Sequence, residues 1–196
     1  MDLVLATKNP GKIREMRDVL VIPGVVLHTF EEFPDWPELE ETGETLEENA
    51  VLKAEALRDR YSIDALADDS GLLVGHLGGR PGVRSSRYAG PDGDSGKNID
   101  RLLAELEGVP GKERGARFAC VIALAGAGGG LRLARGECEG VILEERRGAG
   151  GFGYDPVFRP IGYDRSMAEL PLEEKNAISH RGRALREMRL LMGSGA

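Results

Sequence analysis

The chain has 196 residues, 41% hydrophobic and 30% charged, the composition of a soluble globular protein and enough length for one α/β domain spanning 1–196. Its net charge of −7 argues against a nucleic-acid partner or an anionic membrane surface, but not against a phosphorylated small molecule neutralised locally by lysines and a divalent cation. No apolar run approaches the ~20 residues of a membrane span, and Leu3–Ala6 is broken too soon for a signal peptide, so the expectation is a cytoplasmic protein.

Leu3 to Ala6 reads as a short buried strand, Asn9-Pro10-Gly11 as a turn, and Lys12 to Leu20 as a helix through the spacing of Ile13, Met16 and Leu20. Val25 to Phe30 predicts a second strand, and the acid- and proline-rich stretch Glu31 to Gly43 an exposed loop. Thr45-Leu46-Glu47-Glu48 carries the S/T-x-x-E signature of a helix start; that helix, running to about Arg60, would bury Leu46, Ala50, Ala54 and Leu57. Ala65 to Val74 is apolar at both ends and interrupted by Asp68-Asp69-Ser70-Gly71, with a glycine-rich loop following to Gly82.

A third helix fits Asp94 to Glu107. Ala116 to Ala125, Leu131 to Glu137 and Gly140 to Glu145 read as successive strands of a meander, and Tyr154 to Phe158 as one more strand. Ser179 is placed to cap a last helix ending at Gly193. This order predicts an elongated mixed sheet flanked by helices. Cys120 and Cys138 lack metal-ligand spacing; Cys120 lies in an apolar run and reads as a buried thiol in a reducing compartment.

Five segments bear on chemistry. Thr7, Lys8, Asn9, Pro10, Gly11 and Lys12 stand between strand and helix, where free N–H groups and a positive dipole end suit phosphate; taken alone, the segment reads more readily as a plain turn. Asp68 and Asp69 break an apolar strand, where paired carboxylates are costly without a cation or hydrogen bonds. Magnesium takes one or two such carboxylates plus phosphate oxygens, and Glu40-Glu41 offers a second acidic source, although its acidic surroundings favour plain solvation.

Asn49 and Lys53 share a helix face, and spacing alone favours a solvated surface lysine. Phe152, Gly153, Tyr154 and Asp155 form a compact loop that suits either a base pocket or a turn packing Phe152 into the core. Lys175, His180 and Arg181 gather near the start of the last helix, where cations are electrostatically unfavoured. Gly148 to Gly153 matches G-x-G-x-x-G but leads into an extended segment, so a dinucleotide fingerprint is excluded.

Seven segments in order resemble the inosine triphosphate pyrophosphatase family, the house-cleaning hydrolases of deaminated purine nucleotides. They are Ala6 to Lys12, Glu41 to Gly43 with Glu48 to Ala50 and Lys53, Ala67 to Leu72, Gly78 to Gly82, Ser86 to Gly90, Gly151 to Pro156 and Glu174 to Gly182. The resemblance implies two lobes with an active-site cleft between them, a homodimer, and a magnesium requirement with manganese as the alternative ion. It implies hydrolysis of ITP, dITP and XTP to the monophosphate and pyrophosphate, keeping these nucleotides out of DNA and RNA.

By motif position, Thr7, Lys8, Asn9, Pro10, Gly11 and Lys12 would hold the triphosphate, and Glu40 and Asp69 would bind metal, with Glu41 and Asp68 as alternatives. Asp69 would also orient or deprotonate water, Lys53 would neutralise phosphate charge, and Ser70 would touch substrate. Phe152 to Asp155 would form the base pocket, completed by Lys175, His180 and Arg181. Arg181 is donor-only; opposed to the 6-amino group of adenine it would leave an error of about 1–3 kcal/mol, which the 6-oxo group of hypoxanthine avoids. The competing expectations are a related pyrophosphatase for modified pyrimidine or methylated nucleotides and a nucleotide-binding regulator without turnover.

Overall fold

The computed structural model describes residues 1–39 and 41–193. In chain order its elements are β1 (Asp2–Leu5), α1 (Pro10–Val19), β2 (Val26–His28), α2 (Leu46–Tyr61), β3 (Asp64–Val74), β4 (Pro81–Gly82) and α3 (Ser95–Glu105). There follow β5 (Gly115–Ala125), β6 (Leu131–Ile142), β7 (Phe158–Pro160), α4 (Leu172–Ile178) and α5 (His180–Gly193). The strand order is β2-β1-β3-β5-β6-β7, with β4 on β3. β1 runs parallel to β2 and β3, whereas β4 and β7 pair antiparallel with β3 and β6, so the sheet is mixed as expected. Among the described residues no helix is long and apolar enough to cross a membrane.

The chain divides into two compact units. The first takes Met1–Asp69, Cys120–Gly136 and the chain from Arg181 onward; the second takes Ser70–Ala119 and Glu137–His180. In the first, Leu3, Leu5, Met16, Leu20, Leu66, Ile122 and Leu185 form the core, joined by Cys120. In the second, Leu72, Leu102, Leu106, Phe118, Ile142, Val157 and Phe158 do so, joined by Cys138. Both cysteines are buried, and neither is in a disulfide.

The helix starts follow their local chemistry. Thr45 accepts from the Glu48 amide and Glu48 accepts from the Thr45 amide, the reciprocal box its sequence predicts. Asp94 likewise accepts from the Lys97 amide at the start of α3. The buried stripe of α2 includes Leu46, Ala50, Ala54 and Leu57 and also Asn49 and Lys53, so the solvated lysine is overturned.

Four other expectations are corrected. Helix α1 begins at Pro10, because Asn9 caps it and proline tolerates the first helical position. β3 runs unbroken through Asp68 and Asp69, since both carboxylates find cations. Leu131 to Ile142 is one strand: Gly140 is no turn but a close approach, where a Cβ would stand 2.4 Å from Phe158 Cζ. Asp155–Val157 is a 3-10 turn and the strand starts only at Phe158. The last helix, His180–Gly193, follows the extended Ser179 and ends at Gly193 as expected, with the short α4 before it.

Candidate functional site

The first constellation lies in the first unit. Successive residues of a strand point to opposite faces, so Asp68 and Asp69 meet different partners. Asp68 Oδ2 lies 3.0 Å from Lys12 Nζ and 3.1 Å from Arg181 Nε. Arg181 also pairs with Glu15, and Asp68, Arg181 and Glu15 are all at most 2% exposed. Burial opposes charge at Asp68, but Lys12, Arg181 and Lys53 together hold its carboxyl far below the usual range. Burial likewise opposes charge on Arg181, and Asp68 and Glu15 outweigh it, so the guanidinium stays charged.

Asp69 faces α2. Its Oδ1 accepts from Lys53 Nζ at 2.9 Å and its Oδ2 from Asn49 Nδ2 at 3.3 Å, while Lys53 Nζ also donates to Glu41 Oε1 at 2.8 Å. Burial pushes the Asp69 carboxyl above its usual value; Lys53 opposes this and Glu41 adds to it. Burial works against the Lys53 ammonium, yet Asp69, Asp68 and Glu41 raise its pKa above the usual value. Asn49 is held in turn by the Gly43 amide, which donates to its Oδ1 at 2.8 Å.

The helix-start loop is ordered by its own side chains. Asn9 Oδ1 accepts from the Gly11 and Lys12 amides at 2.9 and 3.1 Å, and Thr7 Oγ1 accepts from the Asn9 amide at 3.1 Å. Lys8, Asn9 and Pro10 are exposed. Glu40 lies outside the described residues.

The second constellation lies in the second unit. Asp155 is buried; its Oδ2 accepts from the Phe152 amide at 2.8 Å and stands 2.5 Å from Lys175 Nζ. The Lys175 ammonium lies 4.7 Å from the centre of the Phe152 ring, a cation–π contact. Only glycine fits at Gly151, with φ at +68° and a would-be Cβ 2.1 Å from Asp155 Oδ2. Tyr154 faces inward, its hydroxyl donating to the Ser85 carbonyl at 2.9 Å, so Phe152 is the aromatic left half-exposed. His180 is buried and stacks on Phe118. Ser70 is half-buried on β3.

Structure thus joins Lys12, Asp68 and Arg181 in one set, Glu41, Lys53 and Asp69 in a second, and Phe152, Asp155 and Lys175 in a third. Sequence reasoning missed Glu15. Its available signal was position: three residues after Lys12 and beside Met16, it shares the buried side of α1.

Carboxylate oxygens from Asp69 and Glu41 approach one ammonium from two sides, so the space between them already accepts a positive charge. These hard oxygen donors suit magnesium, which completes its shell with water and phosphate. Among the described residues no group of three or more His, Cys, Asp or Glu side chains converges as a metal cage.

The fold is mixed α/β, with a buried lysine set between carboxylates in the first unit and an aromatic, ion-paired loop in the second. The Ham1 family model matches residues 3–190, and the chain belongs to the Ham1 family. It is 51% identical over 187 residues to the dITP/XTP pyrophosphatase of Geobacillus kaustophilus, covering 95% of this chain and 92% of that one. Identity to the dITP/XTP pyrophosphatase of Geobacter sulfurreducens is 52% over 183 residues, covering 93% and 92%. Among solved structures, a HAM1 protein from Coxiella burnetii superimposes with a TM-score of 0.90 at 41% identity, covering both chains fully.

Proposed function

We propose that the chain hydrolyses deaminated purine nucleoside triphosphates, ITP, dITP and XTP, to the monophosphate and pyrophosphate, and so keeps them out of DNA and RNA. The observation that carries the reading is the buried Lys53, bracketed by Asp69 and Glu41, in a chain about half identical to proteins named dITP/XTP pyrophosphatase.

In this reading Asp69 accepts the proton of the attacking water. Its hydrogen bonds from Lys53 and Asn49 fix its plane. Lys53 and Lys12 carry positive charge toward the phosphates, where negative charge accumulates as the α–β bridge breaks. Thr7, Lys8, Asn9, Pro10 and Gly11 line the phosphate end at the start of α1, where the positive dipole end and the Lys8 charge act, the Gly11 and Lys12 amides being engaged by Asn9 Oδ1.

Magnesium, with manganese as the alternative, would be held by Asp69 with Glu41 or Glu40; when bound it neutralises phosphate oxygens and stabilises the leaving pyrophosphate. Phe152 stacks on the base, with Lys175 and His180 reading its edge and Asp155 holding the loop. Arg181 supports Asp68 and Lys12 through its buried ion pairs. A cytoplasmic homodimer belongs to the same proposal and rests on the family resemblance; light scattering in solution checks its oligomeric part.

The test is product identity. Incubation of ITP with the protein and magnesium should yield IMP and pyrophosphate in equal amounts by phosphorus NMR. Formation of IDP and phosphate would refute the assigned cleavage position.

A further inference from the structure

We propose that Phe118 is a positioning residue for base recognition, fixing the plane of the His180 imidazole; the inference rests on reading His180 as part of the base-recognising set. Phe118 lies on β5, in the apolar run that its sequence marks as core, and is 7% exposed. His180 opens α5 and is 5% exposed. Their ring centroids are 4.7 Å apart and their planes differ by 13°, a stacked pair. Phe158 backs Phe118 with centroids 4.5 Å apart and a tilt of 52°, so Phe118 is itself held from another side.

The near-parallel contact has a consequence that ordinary core packing lacks. The hydrogen bonds of both imidazole nitrogens lie in the plane of the ring. A flat phenyl face against that ring opposes rotation about Cβ–Cγ, because turning the imidazole would drive its edge into the phenyl. The directions of Nδ1 and Nε2 are therefore set before substrate arrives, as reading a planar base edge requires. Aliphatic carbon of similar volume would fill the space without defining the plane. Holding one side chain in its bound orientation lowers the cost of binding, so the effect belongs in KM and not in the chemical step.

The experiment uses the full chain as Phe118→Leu, Phe118→Tyr, His180→Ala and the Phe118→Leu/His180→Ala double variant. KM and kcat are measured for ITP and ATP, and the imidazoles are followed by ¹H–¹⁵N NMR, which three histidines make tractable. We expect Phe118→Leu to raise KM for ITP by about three- to tenfold with kcat nearly unchanged, and to narrow the gap between ITP and ATP. Phe118→Tyr, which keeps the face, should retain the KM. In the His180→Ala background Phe118→Leu should add nothing, because the two changes remove one interaction. The wild-type His180 ring protons should be displaced upfield by the phenyl ring current.

An equal rise in KM in both backgrounds would overturn the proposal, as would an unshifted His180 signal in the wild type, a result that needs no variant to fold. Absence of ITP turnover in the wild type would instead refute the base reading on which the role depends, and is visible before any variant is made.

Discussion

Asp68 and Asp69 are adjacent in the chain yet answer to different cations: Asp68 Oδ2 stands 3.0 Å from Lys12 Nζ, and Asp69 Oδ1 stands 2.9 Å from Lys53 Nζ. The pleat of β3 makes that division. It also gives the two acids opposite tendencies, because Asp68 is held ionised by Lys12, Arg181 and Lys53 against burial, whereas burial prevails at Asp69. One carboxylate is locked between two cations, and the other keeps one lysine and one amide as its partners.

The pair should therefore separate under mutation. Asp69→Asn is expected to lower turnover by about 10²–10⁴-fold, the loss typical of a general base, at a smaller cost in stability, because Lys53 keeps Glu41 as a carboxylate partner. Asp68→Asn leaves Lys12 and Arg181 facing a neutral amide and should cost about 3–5 kcal/mol. Urea unfolding and pyrophosphate release measure both. Equal stability losses for the two variants would contradict the division of roles.

Arg181 joins Asp68 to Glu15 in a buried set. Arg181→Ala would strand two buried carboxylates and should destabilise the chain by about 3–5 kcal/mol, with Arg181→Lys milder but still impaired, since a single ammonium cannot reproduce the planar fork. Thermal melts of the two variants check the order. If Arg181→Ala melts like the wild type while losing preference for ITP over ATP, the residue reads the base and does not support the site.

A pH dependence is expected at the edge of the first unit. His28 presents Nε2 to Asp2 Oδ1 at 2.8 Å and Nδ1 to Glu32 Oε2 at 2.7 Å, and only the imidazolium donates through both nitrogens. Hydrogen bonds to Asp2 and then Glu32 raise its pKa above 6.5. A raised histidine contributes stability that is complete below its unfolded value and lost as pH rises through the folded value. Melting temperature should thus fall as pH rises above about 6.5, and His28→Asn should flatten that slope. An unchanged slope in the variant would assign the dependence to other groups.

Local signals made much of the fold legible. The Thr45 and Glu48 box, the Asp94 cap and the spacing of Ile13, Met16 and Leu20 each depend on residues close in sequence. What escaped depends on distant partners. Asp68 and Asp69 read as a break because their compensating cations, Lys12, Lys53 and Arg181, come from three helices, the last 113 residues away. Lys53 read as solvated because helical spacing reveals a face but not what covers it. Gly140 read as a boundary because its need is set by the ring of Phe158. The family resemblance supplied the residues of the site, while the ion pairs that organise them, and Glu15 among them, emerge only from the three-dimensional arrangement.

Metal-dependent hydrolysis of deaminated purine triphosphates is tested by pyrophosphate release from ITP, XTP, dITP, ATP, GTP, dUTP and a methylated nucleotide, each with magnesium and with EDTA. Turnover is expected to be confined to ITP, XTP and dITP and abolished by EDTA. Preferred turnover of dUTP or the methylated nucleotide, or ITP binding with no pyrophosphate released, would contradict it.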